Sequence, residues 1–316
     1  MAVIAVNALT KRFGQTTAVQ DLSFEVGEGV VAGFLGPNGA GKTTTLRVLL
    51  GLISAASGNA TIGGRRYRDF AQPIRTVGAV LDGAAAHPGR SGRDHLRILA
   101  RASSIPDTRA DELMEYVGLA GAAQRRVGGY SLGMRQRLSL AAALLGNPRV
   151  LILDEPANGL DPQGIRWLRD LLRHRADNGG TVLVSSHILS EVDQLADEVV
   201  LIDHGKLIVQ APVAELTTGA TARVRVRSPQ ADQLAALLTE RQFQVERGEP
   251  GALAVVGQGP EAVGEIAAAN GIVLHELSSA AASLEDVFFR LTAGSEQAVP
   301  DGTLASQQPA SAQGSR

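Results

Sequence analysis

The chain has 316 residues, 44% of them hydrophobic, with 30 Lys and Arg, 32 Asp and Glu, and a formal net charge of −2. Its length favours about two domains, and its charge balance gives no electrostatic case for a nucleic-acid partner. The chain has no cysteine, which excludes disulfides and thiolate metal sites. No unbroken apolar run approaches roughly 18 residues, so we expect no membrane span.

The first part of the chain predicts short strands and one glycine-rich loop. Residues 3–6, 22–26 and 58–64 are predicted strands, and the stretch 11–14 is turn-like. The apolar run 30–35 predicts a buried parallel strand. After it come a loop and an apolar helical face formed by Leu46, Leu49, Leu50 and Ile53.

The loop matches the phosphate-binding pattern G-x-x-x-x-G-K-[ST], as Gly36-Pro37-Asn38-Gly39-Ala40-Gly41-Lys42-Thr43. Glycines let consecutive N–H groups point at one anion, and the following helix adds the positive end of its dipole. Lys42 is predicted to reach the β- and γ-phosphates of a nucleotide and the Thr43 hydroxyl to hold Mg²⁺, with Thr44 beside them. Phe13, upstream, is either an exposed ring that stacks on adenine or a core side chain.

The middle of the chain predicts one strand and a series of helices. A strand is expected within 74–81, after which Asp82 opens a loop. Ser91 to Asp94 resembles a capping box at a helix start. Residues 107–119 predict a short amphipathic helix.

A second polar stretch, Gly128 to Arg137, opens a predicted helix over 138–145. Ser131 and Gly133 in this stretch have two interpretations. They cap the helix, or they present a hydroxyl and N–H groups to an anion.

Two carboxylates, Asp154 and Glu155, end the next apolar strand, Val150 to Leu153. Open α/β sheets bind ligands at the carboxyl ends of their strands. Asp154 is therefore a candidate Mg²⁺ partner, and Glu155 is a candidate base that polarises the attacking water. The alternative is an acidic turn without a ligand.

His187 follows another predicted buried strand, 181–186. Because that strand ends like the one before Asp154, His187 is a candidate γ-phosphate contact, the alternative being a structural histidine. Asn158 to Pro162 predicts a turn and a helix start, and 198–203 and 206–209 predict two further strands.

In this order the motifs resemble those of an ABC-transporter ATP-binding subunit, over about residues 3–215. The resemblance rests on the P-loop together with Tyr130-Ser131-Leu132-Gly133-Met134, Leu151 to Pro156, Asn158 to Asp161, and Ser186-His187. It implies an α/β fold: a P-loop NTPase core with an antiparallel β subdomain and a helical subdomain at about 84–146.

The resemblance also implies roles for single residues. Phe13 takes the place of the aromatic residue, usually Tyr, that stacks on adenine. Ser131 and Gly133 would contact the γ-phosphate of ATP bound to the opposite subunit of a head-to-tail dimer. Glu155 would be the general base and His187 the switch histidine, and Asp161 would communicate across the dimer.

Two departures from the family pattern bear on coupling to a partner. Asp82 stands where the family has a glutamine that helps to hold Mg²⁺, and a carboxylate cannot donate a hydrogen bond as an amide does. Tyr130 and Leu132 stand where Leu and Gly are usual. We expect retained ATPase activity.

The C-terminal part, 220–294, resembles the accessory tail of ABC-2-type, drug- and bacitracin-exporter-like ATPases. Its predicted order β-α-β-β-α-β suggests a small ferredoxin-like α+β module, with elements at 223–227, 231–241, 243–246, 252–256, 260–269 and 272–275, before a capped helix that starts at 283. Its role is dimer support or ligand regulation. Residues 295–316 are predicted to be disordered.

The predicted domains are thus an ABC ATP-binding domain at 1–219, the accessory module at 220–294 and the tail. The predicted function is ATP hydrolysis that drives a separate transmembrane permease, at the cytoplasmic face of the membrane, for export of a drug-like or peptide compound. ATP and Mg²⁺ are the expected cofactors, and a homodimer is the expected working unit. The alternatives are a soluble ABC ATPase acting on ribosomes or DNA, and a nucleotide-dependent regulatory module.

Overall fold

The computed structural model describes residues 2–81, 86–218 and 223–280, together with residues 284, 287 and 288. Three β-sheets organise this part of the chain. The first two sheets share an apolar core, and the third has a core of its own. No helix within these residues is both long and apolar enough to cross a lipid bilayer.

The first sheet is antiparallel, and its strands are β1 (Ile4–Phe13), β2 (Thr16–Val26) and β4 (Ser57–Ile62). β1 lies between the other two. The prediction of a turn at 11–14 is confirmed at Gly14 and was wrong for Lys11 to Phe13, because those residues pair with β2 as part of β1. Strand pairing in this region was hidden because most of these residues are exposed and show no apolar alternation.

The central sheet contains β3 (Val31–Leu35), β5 (Val77–Val80), β6 (Val150–Asp154), β7 (Thr181–Ser186), β8 (Glu198–Asp203) and β9 (Lys206–Pro212). Their order is β5-β6-β7-β3-β8-β9, and all neighbours are parallel except β8 and β9. β3, β6 and β7 are buried along their whole length, as apolar strands covered on both faces must be. Their carboxyl ends lie side by side, with Leu35 paired to Ser186 and Asp154 to Ser185.

The helices before the C-terminal module are α1 (Lys42–Leu49), α2 (Pro73–Thr76), α3 (Gly92–Ala102), α4 (Thr108–Tyr116), α5 (Leu132–Ala143), α6 (Pro162–Asp177), α7 (Leu189–Asp193) and α8 (Val213–Thr218). α3, α4 and α5 pack against one another and form a helical layer beside the central sheet. The predicted cap of α3 is confirmed, because Ser91 Oγ accepts a hydrogen bond from Asp94 N at 3.1 Å. α5 begins at Leu132, earlier than predicted, because Ser131 caps it.

The third sheet forms with two helices a C-terminal module, whose elements are β10 (Arg223–Arg227), α9 (Ala231–Glu240), β11 (Gln244–Arg247), β12 (Ala252–Val256), α10 (Pro260–Ala269) and β13 (Glu276–Ala280). The sheet is antiparallel with the order β11-β12-β10-β13. The strand predicted at 272–275 was wrong. Ile272 instead packs into the module's core from the connection after α10, and β13 begins at Glu276, opposite Arg227.

The chain returns to the ATP-binding part after this module. Leu284 is buried in the same apolar cluster as Leu35 of β3 and Val192 of α7. Most of the helix predicted from 283 onward, and the predicted disordered tail 295–316, lie outside the described residues. The domain bounds at 219 and 294 stay predictions.

Close packing between β5 and α5 supplies a test of the fold. A Cβ atom on Gly78 would lie 2.1 Å from the backbone oxygen of Ala143. We expect Gly78→Ala to push β5 away from α5 and to lower the free energy of unfolding by about 1–3 kcal/mol, measured by urea denaturation followed by circular dichroism. Gly121→Ala is the control, because nothing lies within 4 Å of its added Cβ. Equal stability of the two variants would contradict this packing.

Candidate functional site

The glycine-rich loop connects β3 to α1 and curls back over the sheet edge. Gly39 and Gly41 adopt φ angles of 84° and 103°, which favour glycine. A Cβ on Gly41 would lie 2.6 Å from the backbone oxygen of Ala18, whereas a Cβ on Gly39 would meet nothing within 4 Å. The loop is therefore packed on one side and open on the other.

The open side carries backbone donors. α1 has no acidic residue in its first turn and no side-chain cap at Gly41. Within the described part of the chain, no acceptor bonds the N–H groups of Lys42, Thr43 and Thr44. Free N–H groups at a helix N-terminus suit an anion such as a phosphate, so the loop fits the phosphates of a nucleotide.

Lys42 is folded back into the loop. Its ammonium group is nearly buried and donates to the backbone oxygens of Gly36 at 2.6 Å and Pro37 at 3.2 Å. Burial lowers the pKa of Lys42, and the charges of Glu155 and Asp154 oppose this shift. The nearest carboxylate oxygen is Glu155 Oε1, at 3.6 Å. Lys42 is thus a cation held by weak acceptors beside the open side of the loop.

Asp154 is the buried acceptor of the site, with 3% of its surface exposed. Its Oδ2 accepts a hydrogen bond from Thr43 Oγ1 at 2.7 Å, and its Oδ1 accepts one from Ser185 Oγ at 2.5 Å. A hydroxyl and a carboxylate side by side are hard oxygen donors of the kind that Mg²⁺ prefers. Among the described residues no group of three or more His, Cys, Asp or Glu could hold a metal ion. An ion bound by the Thr43 hydroxyl and the Asp154 carboxylate would take its other ligands from phosphates and water.

Glu155 follows Asp154 and is held by two strands. Its backbone has a φ of 49°, and its N–H group bonds the hydroxyl and the backbone oxygen of Ser185. Its Oε2 lies 2.8 Å from Nδ1 of His187. The side chain is thereby placed between the imidazole of His187 and the ammonium group of Lys42.

These residues line one cleft of about 400 Å³. It brings together most of the residues predicted from the sequence, namely Pro37, Asn38, Gly39, Ala40, Gly41, Lys42, Thr43, Thr44, Asp154, Glu155 and His187. It also contains Ala18 and Asn158, to which the sequence analysis gave no role in the site, although Asn158 stands in one of the motifs of the resemblance. Asp82 lies outside the described residues.

Five predicted site residues lie outside the lining of this cleft, and one of them, Gly36, begins the loop and accepts a hydrogen bond from the Lys42 ammonium group through its backbone oxygen. Phe13 is 51% exposed, with Lys11 Nζ 4.9 Å from its ring centre, so its interpretation as a core side chain was wrong. Ser131 caps α5 through Met134 N at 3.2 Å, and Gly133 lies against the backbone of Gly159. In a separate contact, Oδ1 of Asp161 caps α6 by accepting from Gly164 N at 2.9 Å.

Ser185 is the functional candidate that sequence reasoning missed. It is fully buried and joins the Asp154 carboxylate to the Glu155 backbone. A signal was present, since a serine that ends an apolar strand parallel to the Asp154 strand needs a buried partner. Only the register, which pairs Asp154 with Ser185, identifies that partner.

The parallel sheet, the phosphate loop and the paired carboxylates define a P-loop nucleotide-binding protein. A family model described as "ABC transporter" matches residues 19–158, and a model described as a domain of unknown function, DUF8746, matches 222–285. The chain belongs to the ATP-binding proteins of ABC transporters and is an ATPase of that type.

Curated relatives and solved structures support this membership. The uncharacterized ABC transporter ATP-binding protein YhcH of Bacillus subtilis (strain 168) is 36% identical, over 94% of this chain and 98% of its own. The bacitracin transport ATP-binding protein BcrA of Bacillus licheniformis is 38% identical, over 92% and 98%. A solved ATP-binding subunit of an ABC transporter is 25% identical, with a TM-score of 0.62 over 68% of this chain and 92% of its own.

The hydroxyl of Ser185 can be tested directly. We expect Ser185→Ala to leave the buried Asp154 carboxylate short of one donor, which costs about 1–3 kcal/mol of unfolding free energy, and to lower the rate of ATP hydrolysis. Thermal unfolding and phosphate release measure the two effects. Thr239→Ala is the control, because the Thr239 hydroxyl bonds the Ala235 backbone oxygen on α9 of the C-terminal module. Unchanged stability and turnover in Ser185→Ala would contradict the role of this hydroxyl.

Proposed function

We propose that this chain hydrolyses Mg²⁺-ATP to drive a separate transmembrane permease that exports a drug-like or peptide compound. Relatives of this chain are named for bacitracin, lantibiotic and daunorubicin transport or resistance, which supports export of such compounds. The observation that carries the proposal is the convergence of Lys42, Thr43, Asp154, Glu155 and His187 on one cleft.

The loop binds the phosphates of ATP. Its N–H groups face the open side of the cleft and would donate to the phosphate oxygens. Lys42 then leaves the backbone oxygens of Gly36 and Pro37, because a phosphate oxygen is a stronger acceptor for an ammonium group than a neutral carbonyl. Phe13, exposed beyond the cleft, stacks on adenine.

Thr43 and Asp154 hold the metal in this proposal, and Asp82 is the third candidate. When Mg²⁺ is bound, it offsets the charge that develops on the phosphate oxygens. The Thr43 hydroxyl already lies beside Asp154. Because the Thr43 hydroxyl donates its hydrogen to Asp154, the lone pairs of its oxygen would remain available to the metal.

Glu155 is the proposed base. As long as Lys42 lies 3.6 Å from Glu155 Oε1, part of the carboxylate's charge is compensated. Movement of Lys42 to the phosphates removes this cation and leaves the carboxylate free to accept a proton from the attacking water. His187, at 2.8 Å from Oε2, fixes the orientation of the carboxylate and reaches the γ-phosphate side of the cleft.

The remaining predicted residues serve a head-to-tail homodimer. Ser131 and the neighbouring Leu132 are exposed and lie away from this chain's own loop. Such a surface suits contact with ATP held by a second subunit, with Gly133 allowing close approach and Asp161 facing the partner. The accessory module at 220–294 supports this dimer.

The permease is the one macromolecular partner in this proposal, and no nucleic acid is needed. The chain acts at the cytoplasmic face of the membrane through that permease. The helical layer of α3, α4 and α5 transmits closure of the dimer to it.

Removal of the proposed base separates binding from hydrolysis. We expect Glu155→Gln to lower ATP turnover about 10²–10⁴-fold with little change in ATP affinity, because the amide keeps the shape of the side chain but cannot accept the proton. Phosphate release and nucleotide titration measure the two quantities. Glu240→Gln, on α9 of the C-terminal module, is the control. Turnover equal to that of the parent would refute the assignment of Glu155.

ATP-dependent dimerisation is a second prediction. We expect Glu155→Gln to form a dimer with ATP and to remain a monomer without it, measured by size-exclusion chromatography with light scattering. Adding Ser131→Arg should prevent the dimer while ATP binding persists, because the new side chain would meet the partner's nucleotide. A dimer that forms equally well without ATP, or with Ser131→Arg, argues against this arrangement.

Capture of the partner tests the transport proposal. We expect the full chain, purified by affinity from native membranes, to bring down a multi-span membrane protein in near-stoichiometric yield. A Lys42→Ala chain controls for nucleotide-dependent contacts. Co-purification of ribosomal proteins or DNA without a permease would instead identify a soluble ABC ATPase.

A further inference from the structure

A second cleft lies behind Glu155, on the side away from the phosphate loop. Its volume is about 190 Å³, and it is bounded by α6, the end of β7, α7 and the turn after Glu155. Most of its wall is apolar, formed by Pro156, Ile165, Leu168, Val184, Val192 and Leu195. The mechanism proposed above does not use this cleft.

Glu191 of α7 lines the same cleft and is half-buried. Within the described part of the chain, its carboxylate has no hydrogen-bond or ion-pair partner. Burial raises the pKa of Glu191, the charge of Glu155 raises it further, and His187 opposes the shift. A carboxylate that loses water without gaining a partner is costly, so a cation placed here would be stabilised.

One cation lines the cleft, but among the described residues it donates its hydrogen bond to a neutral side chain of the same lining and not to Glu191. Arg169 lines the cleft, but its Nη1 donates to Oε1 of Gln194 at 2.7 Å. Lys42 and His187 are directed toward Glu155, not toward Glu191. Glu191 is therefore available to a ligand.

We propose that this cleft binds a small hydrophobic ammonium compound, with its hydrocarbon part on the apolar wall and its ammonium group at Glu191. The volume suits one six-membered ring, since an apolar cavity of about 150 Å³ accepts benzene. An ammonium group on that ring supplies the hydrogen-bond donors and the charge that Glu191 lacks.

Occupation of the cleft acts on ATP hydrolysis through the backbone. The lining includes Glu155 and Pro156 together with Ser185 and Ser186, and the two segments are joined by hydrogen bonds from the Glu155 N–H group to Ser185. The first segment contains the proposed base, Glu155, and the second directly precedes His187. A compound packed against them restrains both segments and slows ATP turnover.

Cyclohexylamine is the probe, and cyclohexanol, which has the same ring without the charge, is its matched control. Binding to the full chain is measured by isothermal titration without nucleotide. We expect saturable binding of the amine at millimolar concentration or below and much weaker binding of the alcohol. Glu191→Gln should weaken amine binding about tenfold or more, the loss expected for a charged hydrogen bond.

Two variants block the cleft from its rim, and one leaves it intact. Ile165→Trp fills the ring site from α6, and Ser190→Phe does so from α7; both should abolish amine binding, and circular dichroism checks that each variant folds. Asp193→Asn removes a charge from the same helix outside the lining and should leave binding unchanged. Equal affinity for amine and alcohol, no saturable binding, or binding that survives both blocking variants would overturn the proposal.

Turnover measurements test the effect on hydrolysis separately. Cyclohexylamine should lower the ATP turnover of the parent chain several-fold. The ATP turnover of Ile165→Trp should be the same with and without the amine. Because the binding measurement needs no nucleotide, the cleft can be confirmed even if the proposed transport function fails. Inhibition of both proteins to the same extent would contradict action through this cleft.

Discussion

The buried carboxylate of Asp154 is the constraint on which the arrangement of the site depends. A buried charge without partners costs several kcal/mol, and Asp154 meets this demand with hydroxyls from two different elements, Thr43 of α1 and Ser185 of β7. The two hydrogen bonds fix the register of the phosphate loop against the sheet edge. Ser185 also accepts a hydrogen bond from the backbone N–H group of Glu155. The serine that stabilises the Asp154 carboxylate therefore also positions the proposed base.

Glu155 occupies the junction of three clefts. It lines the phosphate cleft, the apolar cleft behind it and a third cleft against α5 that also contains Asn158. Its left-handed backbone at φ 49° is rare for a residue with a Cβ and marks strain that surrounding contacts must maintain. A movement of α5 or of α7 can therefore change the position of Glu155, because each helix lines a cleft together with that residue.

The sequence was most informative where burial and chemistry coincide. The apolar runs of β3, β6 and β7 predicted the strands, and the residues at their carboxyl ends, Gly36 after β3, Asp154 in β6 and Ser186 in β7, predicted the edge at which the site lies. Where paired strands are exposed to solvent, the sequence shows no such apolar pattern. The extension of β1 through Phe13 was therefore not predicted. Ser185 and Asn158 were missed because their significance depends on spatial neighbours, which composition and spacing along the chain do not reveal.

Leu284, which follows the C-terminal module, is buried in an apolar cluster of the ATP-binding part. The module is therefore anchored to that part at both of its ends. One anchor is α8, which precedes the module, and the other is Leu284, which shares an apolar cluster with Leu35 and Val192. Leu35 directly precedes the first glycine of the phosphate loop, and Val192 belongs to the helix after His187. A displacement of the chain after the module would therefore disturb an apolar cluster that also contains residues next to the phosphate loop and His187.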